Sequence, residues 1–245
     1  MADRPIADRP MADRPMAPRD AAPDATRAAQ IRTSPRDAVP DAPRSPVSPS
    51  DLSGRFRRQL EFVVAIDKLK NVLRTTRLTD ESRRENSAEH SWHLAVMAML
   101  LHEHAAPDVD AVHVMELLLV HDIVEIDAGD TDCYDTDGHV DKQARERAAA
   151  VRLFGMLPAD QSSRMLALWE EFEAMATPAS RFANALDRLQ PLILGRHRDS
   201  GDWRFRASTP DQLLARMDPI REASPRLWAW VLSVVEEAFG TGRHG

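Results

Sequence analysis

The chain of 245 residues carries a formal net charge of −7, and 43% of its residues are hydrophobic. This composition allows a folded core, but it includes neither the run of about 18 apolar residues that predicts a membrane span nor the basic, aromatic stripe that predicts binding to nucleic acid. The single cysteine, Cys133, excludes an intrachain disulfide and fits a reducing cytoplasm, where we expect the protein to reside. A small anionic substrate needs only a local positive site, so the net charge does not exclude one.

Residues 1–51 are predicted to form a disordered tail. Ten of the 17 prolines of the chain, and none of its aromatic residues, lie within residues 1–50. Such a segment cannot bury enough apolar surface to offset the entropy that is lost when it orders. Its repeated motif ADRP is too short for the unit of a repeat protein, and it lacks the continuous apolar core of a secretory signal peptide. The folded domain is therefore expected to span residues 52–240.

The folded part shows helical periodicity from its beginning. Phe56, Leu60, Val63 and Leu69 recur at helical spacing and predict an amphipathic helix that ends near Arg74. A polar, charged stretch follows, and then helix patterns alternate with loops that contain proline or glycine. Further helices are predicted over about residues 88–104, 109–124, 140–156, 158–175, 177–198, a short one from 210, and 225–239. No segment shows the alternation typical of a strand, so the expected fold class is all-α, a single helical bundle.

Four residues in this helical pattern have the chemistry of metal ligands. They are His90, the adjacent pair His121 and Asp122, and Asp187. Successive residues of a helix point about 100° apart, so His121 and Asp122 can reach the same ion only if it lies beside their helix and other helices complete its coordination. Taken singly, such a residue is more often a satisfied polar group of the core. However, a buried Asp122 or Asp187 would need a partner, and one shared cation would serve both.

The nature of these side chains limits the metal. Imidazole together with carboxylate favours Mn, Fe, Co, Ni or Zn, and Mg is accepted less readily because of the histidines. Four protein ligands on an octahedral ion leave room for water and for an oxygen of the substrate. The sequence therefore predicts one divalent metal ion.

The order of these motifs resembles that of the HD-domain metal-dependent phosphohydrolases, and more narrowly the 5'-deoxynucleotidase branch. The resemblance covers about residues 56–235 and leaves the tail out. It rests on the following segments: LKNVLRT (69–75), SAEH (87–90), HDIVEIDAGD (121–130), LWEEFE (168–173) and LD (186–187). An isolated His-Asp pair would be a weak signal, whereas several motifs in the same order are specific.

The resemblance implies an enzyme that hydrolyses nucleoside 5'-monophosphates, chiefly the 2'-deoxy forms. It implies that His90, His121, Asp122 and Asp187 are the metal ligands. It also implies that Glu125 and Asp130 orient the attacking water and handle protons. A carboxylate one helical turn after a ligand lies on nearly the same face, which fits a general acid or base at Glu125.

The phosphate is expected to meet an arginine, because the guanidinium group matches the geometry of a phosphate. Arg74 and Arg77 are the two candidates. The chain departs from the family here, because a tryptophan commonly lies near this segment, and Arg77 and Leu78 stand in its place. The choice between the two arginines, and the preference for base or sugar, stays open at this point.

Three other functions remain open from the sequence. A two-metal HD phosphodiesterase or oxygenase would need further histidine ligands, for which His139 and His197 are the candidates. A nucleotide-sensing HD domain without turnover would have no need of Glu125 and Asp130. A phosphohydrolase that acts on another phosphorylated metabolite is also compatible with the residues. The apolar segment Leu227–Phe239 fits either a homodimer interface or the core of one chain.

Overall fold

The computed structural model describes residues 49–131, 140–198 and 209–240. All of them fall in one compact unit of the chain, and helices account for most of them. The helices are α1 Pro49–Ile66, α2 Ser87–Leu101, α3 Ala111–Val120, α4 Glu125–Ala128, α5 Lys142–Phe154, α6 Ala159–Ala174, α7 Pro178–Arg196, α8 Pro210–Ala223 and α9 Pro225–Phe239. Short 3-10 turns span Asp67–Asn71, His102–His104 and His121–Val124, and two strands, β1 Leu73–Arg77 and β2 Arg84–Asn86, form a hairpin. The predicted fold class, all-α, is confirmed.

Side chains at the helix starts explain why several helices begin where they do. Asn86 accepts a hydrogen bond from the backbone N–H of Glu89, and the Glu89 side chain accepts one from the Asn86 backbone, which completes a capping box at α2. Asp110 caps α3 in a similar way. Thr177 caps α7, whose first residue is Pro178, a residue already held at the backbone angle of a helix.

Helix α7 lies at the centre of the bundle. It packs against α2, α3, α6 and α8, and α8 in turn packs against α9. The helix is buried along most of its length, and Leu186, Leu189 and Leu192 are at most 1% exposed. Truncation of one such leucine to alanine removes about 2–5 kcal/mol of stability in comparable cores. This rigid surround is what holds Asp187, on the same helix, in place.

The hairpin is where the structure departs from the prediction. The first helix was expected to continue to Arg74, with a polar, charged stretch after it, but α1 ends at Ile66, and residues 73–77 and 84–86 form two antiparallel strands. Leu73 pairs with Asn86 and Arg77 with Arg84, and the register shifts between these pairs. The strand β1 has no face made of core residues, since its exposed positions alternate with half-buried ones. It therefore lacks the apolar alternation by which a strand is recognised in a sequence.

Three predicted boundaries also change. Helix α1 begins at Pro49, so residues 49–51, assigned to the tail, are helical, while the rest of the predicted tail lies outside the described residues. The third helix was expected to reach Val124, but the α-helix ends at Val120 and a 3-10 turn follows. The predicted loop 125–138 begins with the short helix α4, and its residues 132–138 lie outside the described part. None of the described helices is long and apolar enough to cross a membrane.

Candidate metal centre

Three segments of the bundle bring the four predicted ligands together. His90 comes from the first turn of α2, His121 and Asp122 from the 3-10 turn after α3, and Asp187 from the middle of α7. Helices α2, α3 and α7 pack against one another. One donor atom each from His90, His121 and Asp122 lies within 4.8 Å of the other two. The fold therefore brings these three predicted ligands into one cluster.

Asp187 lies against the same group. Its Oδ1 is 3.0 Å from His90 Nε2 and 3.9 Å from His121 Nε2. Asp122 also faces both rings, with Oδ1 3.0 Å from His121 Nε2 and Oδ2 4.0 Å from His90 Nε2. Two imidazole Nε2 atoms and two carboxylates thus point at a common centre. This set of nitrogen and oxygen donors is the kind that divalent transition metals bind.

The His121 ring fits a ligand in its hydrogen bonding. Its Nδ1 lies 2.8 Å from the Leu118 carbonyl oxygen, which can only accept, so Nδ1 carries the proton and donates it. The other ring nitrogen, Nε2, is buried and makes no hydrogen bond of normal geometry in the described part of the chain. The ring also stacks against Phe172, with centroids 4.6 Å apart. A buried Nε2 that is directed at two carboxylates fits a position for a bound cation.

The charges within the cluster are strongly coupled. Burial alone would lower the pKa of His121, but Asp122 and Asp187 outweigh it and raise that pKa to about 9. Burial alone would raise the pKa of Asp122, but His121 and Arg74 bring it down to about 2. Burial likewise opposes the ionisation of Asp187, whereas its hydrogen bond with His90 holds the pKa of that carboxyl well below its usual range. Both aspartates are therefore carboxylates at neutral pH, which is the form that binds a metal.

Arg74 contributes the cation of this site, and 14% of its side chain is exposed. Its Nη1 donates to Asp122 Oδ2 at 2.7 Å, and it lies 4.0 Å from Glu125 Oε1. Its Nη2 is 3.8 Å from Asp187 Oδ1. Burial lowers the pKa of Arg74, but the surrounding carboxylates more than compensate and raise it, so the group stays charged. Arg77, the other candidate for the phosphate, is exposed on the hairpin and donates to the Glu81 carbonyl oxygen instead.

Glu125 and Asp130 lie beside this cluster. Glu125 is 7% exposed, and the Ser87 hydroxyl donates to its Oε2 at 2.6 Å. Burial and the nearby charge of Asp122 raise the pKa of Glu125 well above its usual range. Asp130 is half-buried, and its charge acts on both Arg74 and Glu125. Glu125 thus lies close enough to the proposed ligand Asp122 to interact with it, and Asp130 lies close enough to interact with Glu125 and Arg74.

Other residues considered from the sequence lie elsewhere. His197 lies on the exposed end of α7 and contacts the Ile193 carbonyl oxygen, and His139 and Cys133 fall outside the described residues. Asp127 is paired with Arg152 on the surface. His93 faces Gln190, with 3.3 Å between Nδ1 and Nε2.

Sequence reasoning missed two groups near the centre. Glu85 and Gln190 are buried, and Gln190 Nε2 donates to Glu85 Oε1 at 2.7 Å. Glu146 and Glu173 carry pKa values raised chiefly by burial, and the charge of Asp122 adds to the shift in both. Glu173 lies in the matched segment LWEEFE, which was a signal for its position, whereas nothing in the sequence distinguishes Glu85 from other charged residues of its stretch.

Several known proteins resemble this chain in sequence. The HD-domain family profile matches residues 66–228. The 5'-deoxynucleotidase HDDC2 of Bos taurus is 32% identical over 152 residues, which are 61% of this chain and 71% of that protein. The protein of the same name from Homo sapiens is 30% identical over 149 residues, 60% of this chain and 72% of that protein.

Solved structures show the same likeness. The crystal structure of a protein described as a predicted metal-dependent phosphohydrolase, from Magnetospirillum magnetotacticum, is 51% identical in sequence with a TM-score of 0.68. The match covers 75% of this chain and 95% of that one. A conserved hypothetical protein from Pyrococcus furiosus shares the fold, with a TM-score of 0.54 at 16% identity over 73% of this chain and 98% of that one.

Proposed function

The chain is a metal-dependent phosphohydrolase of the HD-domain family, and we propose that it hydrolyses nucleoside 5'-monophosphates, the 2'-deoxy forms above all, to nucleoside and phosphate. The observation that carries the proposal is that two histidines and two aspartates lie together with a half-buried arginine and a buried glutamate. The relatives named 5'-deoxynucleotidases support the substrate class. The segments SAEH (87–90) and HDIVEIDAGD (121–130), which resemble the 5'-deoxynucleotidase branch, support the substrate class as well.

We assign His90, His121, Asp122 and Asp187 as the ligands of one divalent metal ion. Their mixed nitrogen and oxygen donors suit Mn, Co, Fe, Ni or Zn, and Mg is compatible. When bound, the metal supplies a Lewis acid for the phosphoryl group and lowers the pKa of water. The two ionised aspartates provide the unprotonated oxygens that such an ion requires. At Nε2 of His121 the ion would take the place of a proton, because the neighbouring aspartates raise the pKa of that ring to about 9.

Arg74 is the side chain we assign to the phosphate. Its guanidinium is already held at the centre by Asp122, so little side-chain entropy is lost when a phosphate binds. Its buried Nε makes no hydrogen bond within the described part of the chain, which leaves a donor for an additional acceptor. A fixed positive charge beside the phosphoryl oxygens stabilises the charge that they carry in the transition state.

Glu125 and Asp130 are assigned to proton transfer. Hydrolysis joins a water oxygen to phosphorus and breaks the bond between phosphorus and the 5'-oxygen. The water must give up a proton, and the departing 5'-oxygen must receive one, so two carboxyl groups are enough for both transfers. Burial and the charge of Asp122 raise the pKa of Glu125 well above its usual range, which suits a group that takes up and releases a proton. Ser87 holds this side chain in one orientation by its hydrogen bond.

The test measures phosphate release from a panel of deoxy and ribo nucleoside 5'-monophosphates. The full chain is stripped of metal and reloaded with Mn, Co, Mg or Zn. Asp122→Asn is compared with Asp127→Asn, which makes the same chemical change at the surface contact with Arg152. We expect metal-dependent release that Asp122→Asn abolishes and Asp127→Asn retains.

Two results would contradict the proposal in different ways. If metal binds through Asp122 but no nucleotide is hydrolysed, the substrate assignment is wrong, and another phosphorylated metabolite or a sensing role takes its place. If Asp122→Asn leaves metal-dependent release unchanged, the assignment of the metal centre itself is wrong.

A further inference from the structure

Glu85 is a buried carboxylate for which the proposed mechanism has no use. It is the central residue of β2 and is 2% exposed, whereas its neighbour Arg84 is exposed. Removal of a carboxylate from water costs several kcal/mol unless partners compensate for it. The positions of its two oxygen atoms show what those partners are.

Each oxygen of Glu85 faces one side chain near the metal centre. Oε1 accepts a hydrogen bond of 2.7 Å from Nε2 of Gln190, which is fully buried on α7 and lies three residues after Asp187. Oε2 faces Nδ1 of His90 at 3.6 Å. Among the described residues, His90 is the one basic side chain with a nitrogen within 4.0 Å of this carboxylate.

The His90 ring is complementary to this arrangement. Its Nε2 faces Asp187 at 3.0 Å and Asp122 at 4.0 Å, so this is the nitrogen directed at the candidate centre. Its Nδ1 is buried and has no hydrogen bond in the described part of the chain, and Glu85 Oε2, in the same state, lies opposite it. A histidine that binds a metal through one nitrogen generally donates its other N–H to a carboxylate, carbonyl or water, which fixes the tautomer and orientation of the ring.

We propose that Glu85 is a positioning residue for the metal centre: in the metal-bound protein its Oε2 accepts the Nδ1–H of His90 and so keeps Nε2 directed at the metal, while Gln190 anchors Glu85 from α7. This inference rests on the proposed function, because it requires His90 to be a ligand. A purely structural role differs from it in one respect. In that case Glu85 would only connect the hairpin to α7 through Gln190, and neither the orientation of the His90 ring nor metal binding would depend on Glu85.

The experiment compares Glu85→Gln and Glu85→Met with Glu89→Gln in the full chain. Glu89→Gln makes the same charge change next to His90 in sequence, but the Glu89 carboxylate contacts Arg83 and the start of α2. The affinity for Zn²⁺ is measured by competition with a chelator. Loss of a partner of this kind weakens metal binding by about 10- to 100-fold. We expect a loss of that size in Glu85→Met, a smaller one in Glu85→Gln, and wild-type affinity in Glu89→Gln.

A second readout follows the His90 ring itself. In the Zn-loaded wild type, nitrogen NMR should show a slowly exchanging proton on His90 Nδ1. This signal should shift in Glu85→Gln and exchange rapidly in Glu85→Met. Glu85→Gln keeps the shape of the side chain and an acceptor for Gln190, so it decides the question even if Glu85→Met does not fold.

The possible failures are distinguishable when His121→Ala is included. If His121→Ala loses Zn²⁺ while both Glu85 variants keep wild-type affinity and an unchanged Nδ1–H signal, the positioning role is overturned and the metal centre stands. If His121→Ala also keeps wild-type affinity, the ligand assignment fails, and the proposed function fails with it.

Discussion

Arg74 and Arg77 lie three residues apart on the same strand, but only the Arg74 guanidinium faces the carboxylates of the metal centre. Arg74 donates to Asp122, whereas Arg77 donates to the Glu81 carbonyl oxygen at the turn of the hairpin. Exposure alternates along β1, with residue 74 half-buried and residue 77 exposed, so the two arginines lie on opposite faces of the strand. The sequence left open which of the two arginines meets the phosphate, and the geometry of the strand favours Arg74.

The first prediction compares the same substitution at Arg74 and at Arg77, which serves as the control. Arg74→Lys keeps the positive charge but loses the planar set of donors that matches a phosphate. We expect kcat/KM for a deoxynucleoside 5'-monophosphate to fall by about 10²- to 10³-fold, as when one transition-state donor is removed elsewhere. Arg77→Lys should stay close to the wild type. Equal losses in steady-state assays of the two variants would show that the strand orientation does not select Arg74.

The second prediction concerns Gly129, which joins α4 to Asp130. Its φ of 76° and ψ of 154° belong to a region that side chains with a Cβ avoid, although a Cβ there would contact no atom within 4 Å. Gly129→Ala should therefore lower the free energy of unfolding by about 1–3 kcal/mol through backbone strain. It should also reduce kcat, because Asp130 would move.

Gly54→Ala is the matched control for that substitution. Gly54 lies within α1, where a Cβ also meets open space and no positive φ is required. Alanine is the better helix former by about 1 kcal/mol, so this variant should be as stable as the wild type or more so. Urea unfolding followed by circular dichroism measures both variants. Similar stability in the two would refute the claim of strain at Gly129.

The third prediction concerns pH and the contact between α1 and α6. Both terminal nitrogens of Arg55 donate to the Asp160 carboxylate at 2.7 Å, and this hydrogen bonding lowers the pKa of Asp160 to about 2. Because the pKa is depressed in the folded state, the stabilisation is fully present above the unfolded value of about 3.9 and is lost as the pH falls through 2. At pH 6 the wild type should melt at a higher temperature than Asp160→Asn. This difference in melting temperature should disappear as the pH falls through 2. A difference that does not change with pH would exclude the ion pair as its cause.

The fourth prediction concerns metal removal. Without a metal ion, the carboxylates of Asp122, Asp187 and Glu125 lie close together, and Arg74 is within 4.0 Å of each of them. Metal at about 100 times its dissociation constant should stabilise the fold by about 2.7 kcal/mol, which is roughly 5–10 °C in melting temperature for a domain of this size. Differential scanning fluorimetry with added Mn²⁺ or Zn²⁺ measures this shift. His121→Ala should show little of it, and a full shift in that variant would place the ion elsewhere.

The helices and the candidate ligands were predictable because they depend on local chemistry. Residues such as Leu117 and Leu118 recur on buried faces, and Pro178 and Pro225 each stand at the first position of a helix. His121 and Asp122 were recognisable as a pair within an apolar helix pattern. Their backbone is a 3-10 turn, however, so successive side chains diverge by about 120° rather than by the 100° of an α-helix.

The hairpin and Glu85 were not predictable because their stabilising contacts are distant in sequence. Glu85 bonds to Gln190, and Arg74 bonds to Asp122, both across the tertiary fold. A local window of sequence shows only a polar, charged stretch there. The propensity for a loop was overridden by partners that the folded chain supplies.

The small hairpin also makes the thermal stability of the activity differ from the thermal stability of the helical bundle. Two strands, of five and three residues, deliver Arg74 and Glu85 to the site, while α7 and its neighbours hold the bundle together. Opening of so small a sheet exposes little apolar surface, and such elements open at lower free energies than a helical core. We therefore expect warming to inactivate the enzyme reversibly at temperatures below those that melt the helical bundle. Phosphate release should fall while the helical circular dichroism signal persists. Coincident loss of the two signals would show that hairpin and bundle open as one unit.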